Sequence, residues 1–430
     1  MSERVLRVGL LGCGNVGAAV VRLLNEHRQD IATRAGCRLE VARVAVRDFD
    51  RVRNAPIERG ALTTDAVSVV EDPDVDIVCE LIGGIEPARS LILRAFDHSK
   101  PVVTANKELL AAHGRELFDA SDAKGLDLYF EASVGGGIPL IRPLKESLTG
   151  ERLSRVIGIV NGTTNFILTK MTEEGRSFAH VLAEAQALGY AEADPTADVD
   201  GHDAAAKCAI LASIAFNARV VAGDVFREGI AGVTTEDIEY AGRLGYVVKL
   251  LAIAEMGPDE RVAARVHPAM IPAGHPLASV RDAFNAVFVE GPKVGELMFY
   301  GRGAGGDATA TAVVGDLVSV ARNLLADTRG VGCTCFHERT IRPMSEMEGQ
   351  YYILLRVEDR PGVLAEIASV FGRSGVSIKS VWQEGLGADA QLVFITHRAR
   401  EGAFQRAVSE LRHLKAVEEV RSILRVEAEE

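Results

Sequence analysis

Residues 5–26 read Val5-Leu-Arg-Val-Gly-Leu-Leu11-Gly12-Cys-Gly14-Asn15-Val16-Gly17-Ala-Ala-Val-Val-Arg-Leu-Leu-Asn-Glu26. Val5–Leu11 is an apolar run of strand length, and from Val16 to Asn25 the apolar positions recur at helical spacing. Between them lies Gly12-x-Gly14-x-x-Gly17, a spacing that is weak alone and gains meaning between a strand and a helix. There the first glycine allows a tight turn and the second lets backbone approach a pyrophosphate. The third permits close helix–strand packing, and the helix N-terminus offers N–H groups and partial positive charge. Without a ligand the same glycines would make only a flexible turn. Arg4 and Arg7 ahead of the apolar Val8–Val21 stretch also resemble a secretory leader, but Gly9, Gly12, Gly14, Asn15 and Gly17 interrupt it too often.

Outward from this stretch the pattern repeats. Leu39–Val46, Asp76–Ile82, Pro101–Thr104 and Leu126–Glu131 read as further buried strands, with helical spacing over Glu86–His98 and Lys107–Lys124. Strand–helix alternation predicts a parallel sheet with right-handed crossovers, here a Rossmann-type dinucleotide-binding domain over residues 1–131. Residues 132–325 change texture. Gly135, Gly136 and Gly137 lead into a helix, Arg155–Val160 reads as a strand, and Arg261–His267 and Asn285–Glu290 are short β-like runs. This mixture predicts an α+β domain, closed by a helix to about Asn323 with Asp307 as its N-cap. Residues 326–349 suit a linker. Residues 350–430 read strand (Tyr351–Val357), helix (Val363–Arg373), strand (Val376–Trp382), strand (Leu392–His397), helix (Phe404–Leu411) and strand (Val417–Val426). That βαββαβ order is a ferredoxin-like sandwich, and the chain as a whole is of the α/β class.

The chain has 430 residues, enough for two to four domains at roughly 100–200 residues each. Its 47% hydrophobic and 25% charged residues are those of an ordinary globular protein. Acids outnumber bases 60 to 48, a net charge of −12, so nucleic acid and anionic membrane surfaces are poor partners. No apolar run approaches the ~18–20 residues that span a bilayer. The six cysteines sit mostly in apolar segments, which suits reduced thiols in a cytoplasmic protein. Cys333-x-Cys335 lacks a second Cys or His pair at zinc spacing.

Three places carry candidate chemistry. The second strand ends Val46-Arg47-Asp48; Arg47 favours a ribose 2′-phosphate and hence NADP, while Asp48 keeps NAD open. Lys107, in Thr104-Ala105-Asn106-Lys107, follows the carboxyl end of the fourth predicted strand, where ligands of open α/β sheets lie. The densest polar cluster runs from Glu192 through Asp194, Asp198, Asp200, His202 and Asp203 to Lys207. A calcium loop aligned on Gly201 would put Lys207 where a bidentate glutamate is required, which rejects that reading. Asp203 and Lys207 instead stand i, i+4 on one helix face. They read either as a surface ion pair worth ~0.3–0.5 kcal/mol or as a lysine whose burial tunes it for proton transfer.

Together these motifs resemble the homoserine dehydrogenases. The likeness rests on Gly12-Cys-Gly-Asn15-Val16-Gly17, Thr104–Lys107, Glu131-Ala-Ser-Val134-Gly-Gly136-Gly-Ile138-Pro139, Asn161-Gly162-Thr163-Thr-Asn165 and Gly189-Tyr-Ala-Glu192 through Lys207, covering residues 5 to about 320. The tail, with Asp359-Arg360-Pro361-Gly362-Val363-Leu364, is similar to an ACT domain. The resemblance implies NAD(P)-dependent interconversion of L-homoserine and L-aspartate 4-semialdehyde, on the route to threonine, methionine and isoleucine. It also implies roles for named residues. Lys207 is the proton donor and acceptor, and Lys107 touches cofactor and substrate. Glu192 and Asp203 bind the substrate's amino and hydroxyl ends, with Gly162 and Thr163 near its carboxylate. Gly12, Gly14, Asn15, Val16, Gly17, Arg47, Gly189 and Gly303 border the cofactor. A structural sodium or potassium ion lies near Glu131, Val134, Gly136 and Ile138. Further implications are threonine as effector at the ACT domain and a homodimer or homotetramer. Gly362, between the tail's first predicted strand and its helix, offers backbone N–H groups to an amino-acid carboxylate, the alternative being a purely dimerising module. No kinase-like segment precedes residue 5, so a monofunctional enzyme is expected. A non-catalytic nucleotide- and amino-acid-binding regulator would need neither Lys107 nor Lys207. An aldehyde dehydrogenase would need a thiolate nucleophile paired with a base, and Cys79 and Cys208 stand in no such setting.

Overall fold

The computed structural model describes residues 4–335, 337–387 and 390–428. The outer ends of the first and last expected domains, and Phe336 within the expected linker, lie outside the described residues. The chain groups into two units: Met1–Val156 with Ala209–Ala222 and Asn285–Arg339, and Ile157–Cys208 with Gly223–Phe284 and Thr340–Glu430.

The first unit is built on six parallel strands: β1 (Val5–Leu11), β2 (Arg38–Ala45), β3 (Leu62–Thr63), β4 (Ile77–Glu80), β5 (Val102–Thr104) and β6 (Leu128–Tyr129). Their order is β3-β2-β1-β4-β5-β6, the doubly wound order whose switch point lies between β1 and β4. The fourth predicted strand is thus β5, because the two-residue β3 adds an edge that the sequence pattern does not announce. Crossovers run through α1 (Asn15–Glu26), α2 (Arg28–Ala35), α3 (Ala66–Glu71), α4 (Ala88–Asp97) and α5 (Lys107–Lys124). Helix α5 has the expected bounds because its ends are chemically marked. Asn106 Oδ1 accepts from the Leu109 amide at 3.1 Å, and Gly125 takes the left-handed conformation at the other end.

In the second unit, α6 (Gly162–Glu174), α7 (Phe178–Ala187), α8 (Thr196–Val199), α10 (Thr235–Arg243) and the first half of α9 (His202–Ala215), which from Ala209 belongs to the first unit, accompany β8 (Phe226–Arg227), β9 (Tyr246–Met256), β10 (Val262–Pro272) and the greater part of β7 (Arg155–Ile159). The chain re-enters the first unit at Asn285: β11 (Phe284–Gly291) and β12 (Gly295–Arg302) pair with one another, and α11 (Gly306–Ala326) follows, its Val313, Leu317 and Val320 entering the same core as Val20 and Leu24 of α1. The expected N-cap Asp307 is corrected. Gly305, at φ +117°, caps α11, and Asp307 lies in its first turn, its carboxylate taken by Arg22 at 2.6 Å.

The tail folds as expected into β13 (Glu348–Val357), α12 (Val363–Arg373), β14 (Ile378–Glu384), β15 (Gln391–Thr396), the short β16 (Ala399–Arg400), α13 (Glu401–Leu411) and β17 (Val417–Val426). Its sheet order is β17-β13-β15-β14, and Tyr351 stacks on Phe404 with ring centroids 3.9 Å apart beneath the helices. This sheet is joined to another. Strand β17 runs parallel to β10, pairing Arg425 with Ala269 and Val426 with Met270. Around the joint, buried Arg265 meets Glu255 and Glu427, and buried Arg425 meets Glu228 and Glu401.

His267 of β10 is fully buried here. Burial first, and then the Arg425 charge, push its pKa from 6.5 down to about 3, so the folded chain refuses a proton that the unfolded chain takes. Its contribution is therefore complete above about 6.5 and is lost as pH falls towards 3, at up to about 1.4 kcal/mol per pH unit. Chemical denaturation of His267→Gln from pH 7 to 4 should show a shallower acid loss than the parent; parallel profiles would show that His267 does not supply that slope.

Candidate active site

In the first unit the glycine loop joins β1 to α1. Gly12 has φ +95°, and a Cβ there would stand 2.8 Å from the Leu81 carbonyl oxygen. A Cβ on Gly17 would stand 2.4 Å from the Gly12 carbonyl oxygen, so the helix lies against the turn at a distance only glycine permits. Gly14 is the N-cap of α1 and supplies no side-chain acceptor, which leaves the first helical N–H groups of Asn15, Val16 and Gly17 for a ligand anion. Gly306, opening α11, lies against the Asn15 carbonyl, where a Cβ would come within 3.0 Å. Arg47 and Asp48 are both exposed just past β2.

At the carboxyl ends of β4 and β5 a buried carboxylate organises the loops. Glu80 accepts from the Ile82 and Gly83 amides at 2.7 and 3.1 Å and from the Thr104 hydroxyl at 2.6 Å. Thr104 Oγ1 in turn accepts from the Asn106 amide at 3.0 Å, and the Asn106 side chain donates to Gly84 O at 2.7 Å. Lys107 follows as the first residue of α5, half-buried.

Glu131, also buried, begins a second turn. Its carboxylate accepts from the amides of Leu140, Ile141 and Arg142 at 2.5, 2.7 and 2.9 Å, while its own amide donates to Asp316 at 2.8 Å. Burial raises Asp316 to about 7 despite the Arg142 guanidinium 2.5 Å away. Gly136, at φ +57°, packs on Gly303, whose carbonyl oxygen a Cβ would meet at 2.6 Å; Ile138 packs against Gly301. The structure thus brings Gly303 to the turn that holds Val134, Gly136 and Ile138. Among the described residues no group of three or more His, Cys, Asp or Glu side chains is placed to hold a metal.

In the second unit a hydrogen-bonded cluster surrounds Lys207. Its Nζ donates to Asp203 Oδ2 and to Val160 O, each at 2.7 Å, and both side chains are buried. Asn161, at the end of β7, caps α6 with its Oδ1 and donates from Nδ2 to Asp198 at 2.7 Å and Asp203 at 2.9 Å. Thr163 Oγ1 donates to Tyr190 O at 2.6 Å, and its 3.1 Å contact to Asp198 Oδ2 completes the ring. Gly162 fits under Ala283, where a Cβ would lie 2.8 Å from the carbonyl oxygen. Glu192 is exposed on the loop that follows, its backbone carbonyl held by Gln186 at 3.0 Å, and Gly189 turns the chain at φ +77°.

Sequence reading singled out Lys207, Asp203, Gly162 and Thr163, and the structure gathers them. It missed the side chain that ties them, Asn161. The available signal was an Asn at a strand-to-helix turn, a position that spends its oxygen on the helix and keeps an amide to donate. Glu80 was missed for want of any local signal. Arg53 was missed as well: it ties down the loop after β2 through the carbonyls of Asp48 and Arg51, close enough to Cys13 for its charge to offset part of the rise that burial imposes on that thiol.

A dinucleotide-type glycine loop in a parallel sheet, a buried lysine–carboxylate pair on a separate α/β unit, and a ferredoxin-like tail define a nicotinamide-dependent oxidoreductase with an appended ferredoxin-like domain. Residues 12–131 match the family described as homoserine dehydrogenase, NAD binding domain; residues 139–318 match homoserine dehydrogenase; residues 351–415 match the ACT domain. The chain is 49% identical to the homoserine dehydrogenase of Corynebacterium glutamicum over 98% of its own length and 95% of that protein's. The crystal structure of a homoserine dehydrogenase from Thiobacillus denitrificans superposes with a TM-score of 0.94 at 42% identity, covering 99% of each chain. A hyperthermophilic archaeal homoserine dehydrogenase in complex with NADPH aligns at 27% identity with a TM-score of 0.64, over 76% of this chain and 99% of that one. This chain belongs to the homoserine dehydrogenase family.

Gly17→Ala should raise the Kd for the dinucleotide by at least about tenfold, or 1.4 kcal/mol, by forcing α1 off the turn. Fluorescence titration with the reduced cofactor checks this, with circular dichroism to confirm the fold. Unchanged affinity would mean that the α1 N-terminus takes no part in binding.

Proposed function

We propose that this enzyme interconverts L-homoserine and L-aspartate 4-semialdehyde, with Lys207 giving and taking the proton at the substrate's oxygen. The observation that carries the reading is the buried Asn161–Asp203–Lys207 cluster. Reduction of an aldehyde builds negative charge on its oxygen, and an ammonium there stabilises that charge and delivers the proton. Asp203 orients the ammonium, and Asn161 fixes Asp203 by holding one of its oxygens. The bound nicotinamide supplies the hydride in that direction and accepts it in the other.

Substrate recognition follows from charge. The carboxylate of Glu192 suits the substrate's ammonium group, and Asp203 meets the hydroxyl end. Gly162 and Thr163 open α6, where first-turn N–H groups lack intrahelical partners, and these serve the substrate's carboxylate. Lys107 touches cofactor and substrate. Gly12, Gly14, Asn15, Val16 and Gly17 receive the pyrophosphate, with Gly189 and Gly303 bordering the cofactor. Arg47 favours NADP over NAD, a preference in keeping with the NADPH held by the archaeal relative. A sodium or potassium ion suits the main-chain carbonyls of Glu131, Val134, Gly136 and Ile138. The Glu131 carboxylate, already accepting three amides, serves there as an anchor rather than a ligand.

The tail is read as a threonine sensor that lowers activity. Gly362 supports this, since it caps α12 at φ +96° without a side-chain acceptor and leaves N–H groups for an amino-acid carboxylate. No described helix is long and apolar enough to cross a membrane. A cytoplasmic homodimer or homotetramer on the branch to threonine, methionine and isoleucine completes the proposal.

The test is NADPH oxidation with L-aspartate 4-semialdehyde, repeated with NADH and with added L-threonine. Turnover that threonine depresses is expected; none from folded protein with either cofactor would sink the reading. Lys207→Ala should lower kcat by at least about a hundredfold, the usual worth of a positioned acid–base group, with cofactor affinity nearly unchanged. Normal turnover would refute its role. Arg47→Ala should raise KM for NADPH more than for NADH; equal effects would make it a bystander.

A further inference from the structure

The Cys333-x-Cys335 pair has no place in this chemistry, yet the first unit gives it a specific setting. Both thiols are half-buried, whereas Cys13, Cys37, Cys79 and Cys208 are buried. They close a cavity of about 80 Å³ with largely apolar walls, among them Leu110, Phe118, Phe130, Ile210 and Ile214. The Cys335 amide donates to Cys333 Sγ at 3.3 Å. Lys145, 9% exposed, lines the same cavity, its Nζ bonded to Val331 O at 3.1 Å and lying 5.4 Å above the Phe130 ring.

The charged groups around the pair are Lys145 and Arg219, which favour a thiolate, and Asp122, which opposes it and is paired with Arg329; Arg115 and Asp119 line the same cavity, with Asp119 paired to both Arg115 and Arg219. Hydrogen bonds from the Cys335 thiol, and then from its amide, act with Lys145 to bring Cys333 below the ordinary thiol range in spite of burial. Cys335 is pushed up, first by its hydrogen bond to Cys333 and then by burial. One sulfur therefore holds the charge and the other holds the proton.

We propose that Cys333 is an oxidation site, a thiolate that small hydroperoxides convert to a sulfenic acid and that Cys335 resolves to a disulfide. In the first step the Cys333 thiolate attacks the peroxide's O–O bond. An S–O bond forms, the sulfur loses two electrons, and with one proton taken up the departing oxygen leaves as water from hydrogen peroxide. In the second step the Cys335 sulfur attacks Cys333, the S–O bond breaks, and the thiol proton leaves with the hydroxide as a second water. Lys145 stabilises the starting thiolate, and the partial exposure of Cys333 lets a small peroxide reach it, the electropositive and partly open setting that marks reactive cysteines.

The experiment treats the reduced full-length protein with hydrogen peroxide, with and without dimedone, and locates products by intact mass and peptide mapping. The parent should lose two hydrogens as a Cys333–Cys335 disulfide. Cys335→Ser should retain a sulfenic acid that dimedone traps at Cys333, and Cys333→Ser should give neither product. Lys145→Met should slow sulfenic acid formation in the Cys335→Ser background about five- to tenfold at neutral pH, with thermal unfolding reporting whether it folds. First oxidation at another cysteine, no adduct in folded Cys335→Ser, or a rate insensitive to folded Lys145→Met would overturn the assignment.

Discussion

An ammonium taken out of water must be met by oxygen, and the way Lys207 is met constrains the second unit. An uncompensated buried ion costs several kcal/mol, so the lysine can sit here only because Asp203, one helical turn earlier, arrives with it. Asp203 is itself buried and would have the same problem without a second donor. Asn161 provides it from another element, and by capping α6 with its oxygen it locks the end of β7 to the start of that helix. Because the same amide also reaches Asp198, the loop from Tyr190 to Gly201 is held as part of the cluster. A proton-transfer group needs fixed neighbours, and the cost of desolvating it selects neighbours that cannot drift.

The first unit answers the same constraint with anions. Glu80 and Glu131 are buried carboxylates, and each is satisfied mostly by backbone N–H groups of the turn that follows it. A parallel sheet collects its ligand-binding loops at the carboxyl ends of its strands, where there is no ladder to order them. A carboxylate bonded to consecutive amides supplies that order without occupying the loop's outer face. Lys107 inherits its position in this way, since Asn106 is fixed through Thr104 to Glu80.

What was legible in the sequence was local. The helix Lys107–Lys124 could be read to the residue because Asn106 and Gly125 announce its ends. The glycine loop could be read because only glycine tolerates the Gly12–Gly17 approach. The strand Leu62–Thr63 is too short to show a period. Tyr246–Met256 was passed over because Lys249 breaks its apolar run, yet that lysine is buried, bonded to Asn165 Oδ1 and Val280 O, and lowered to about 8 by desolvation. At the site, the i, i+4 spacing disclosed Asp203 and Lys207. Asn161 bonds to residues 37 and 42 positions away, and no local pattern encodes that.

The joint between β10 and the ACT domain's last strand extends the argument from the site to the tail. Two paired residues make a weak parallel contact, and a slip of one residue would turn every side chain of β17 to the opposite face. Arg425 resists that slip through its bond to Glu228 across the joint, its guanidinium being held in place within the tail by two nitrogens on Glu401. Glu228 adjoins Gly229, where a Cβ would stand 2.4 Å from the Val199 carbonyl oxygen and 2.7 Å from Asp200 Cα, and the Ile230 amide donates to that same carbonyl at 2.8 Å. Val199 follows Asp198, the second carboxylate held by Asn161. The Arg425–Glu228 pair therefore adjoins, through the close contacts at Gly229, the backbone that carries the Lys207 cluster.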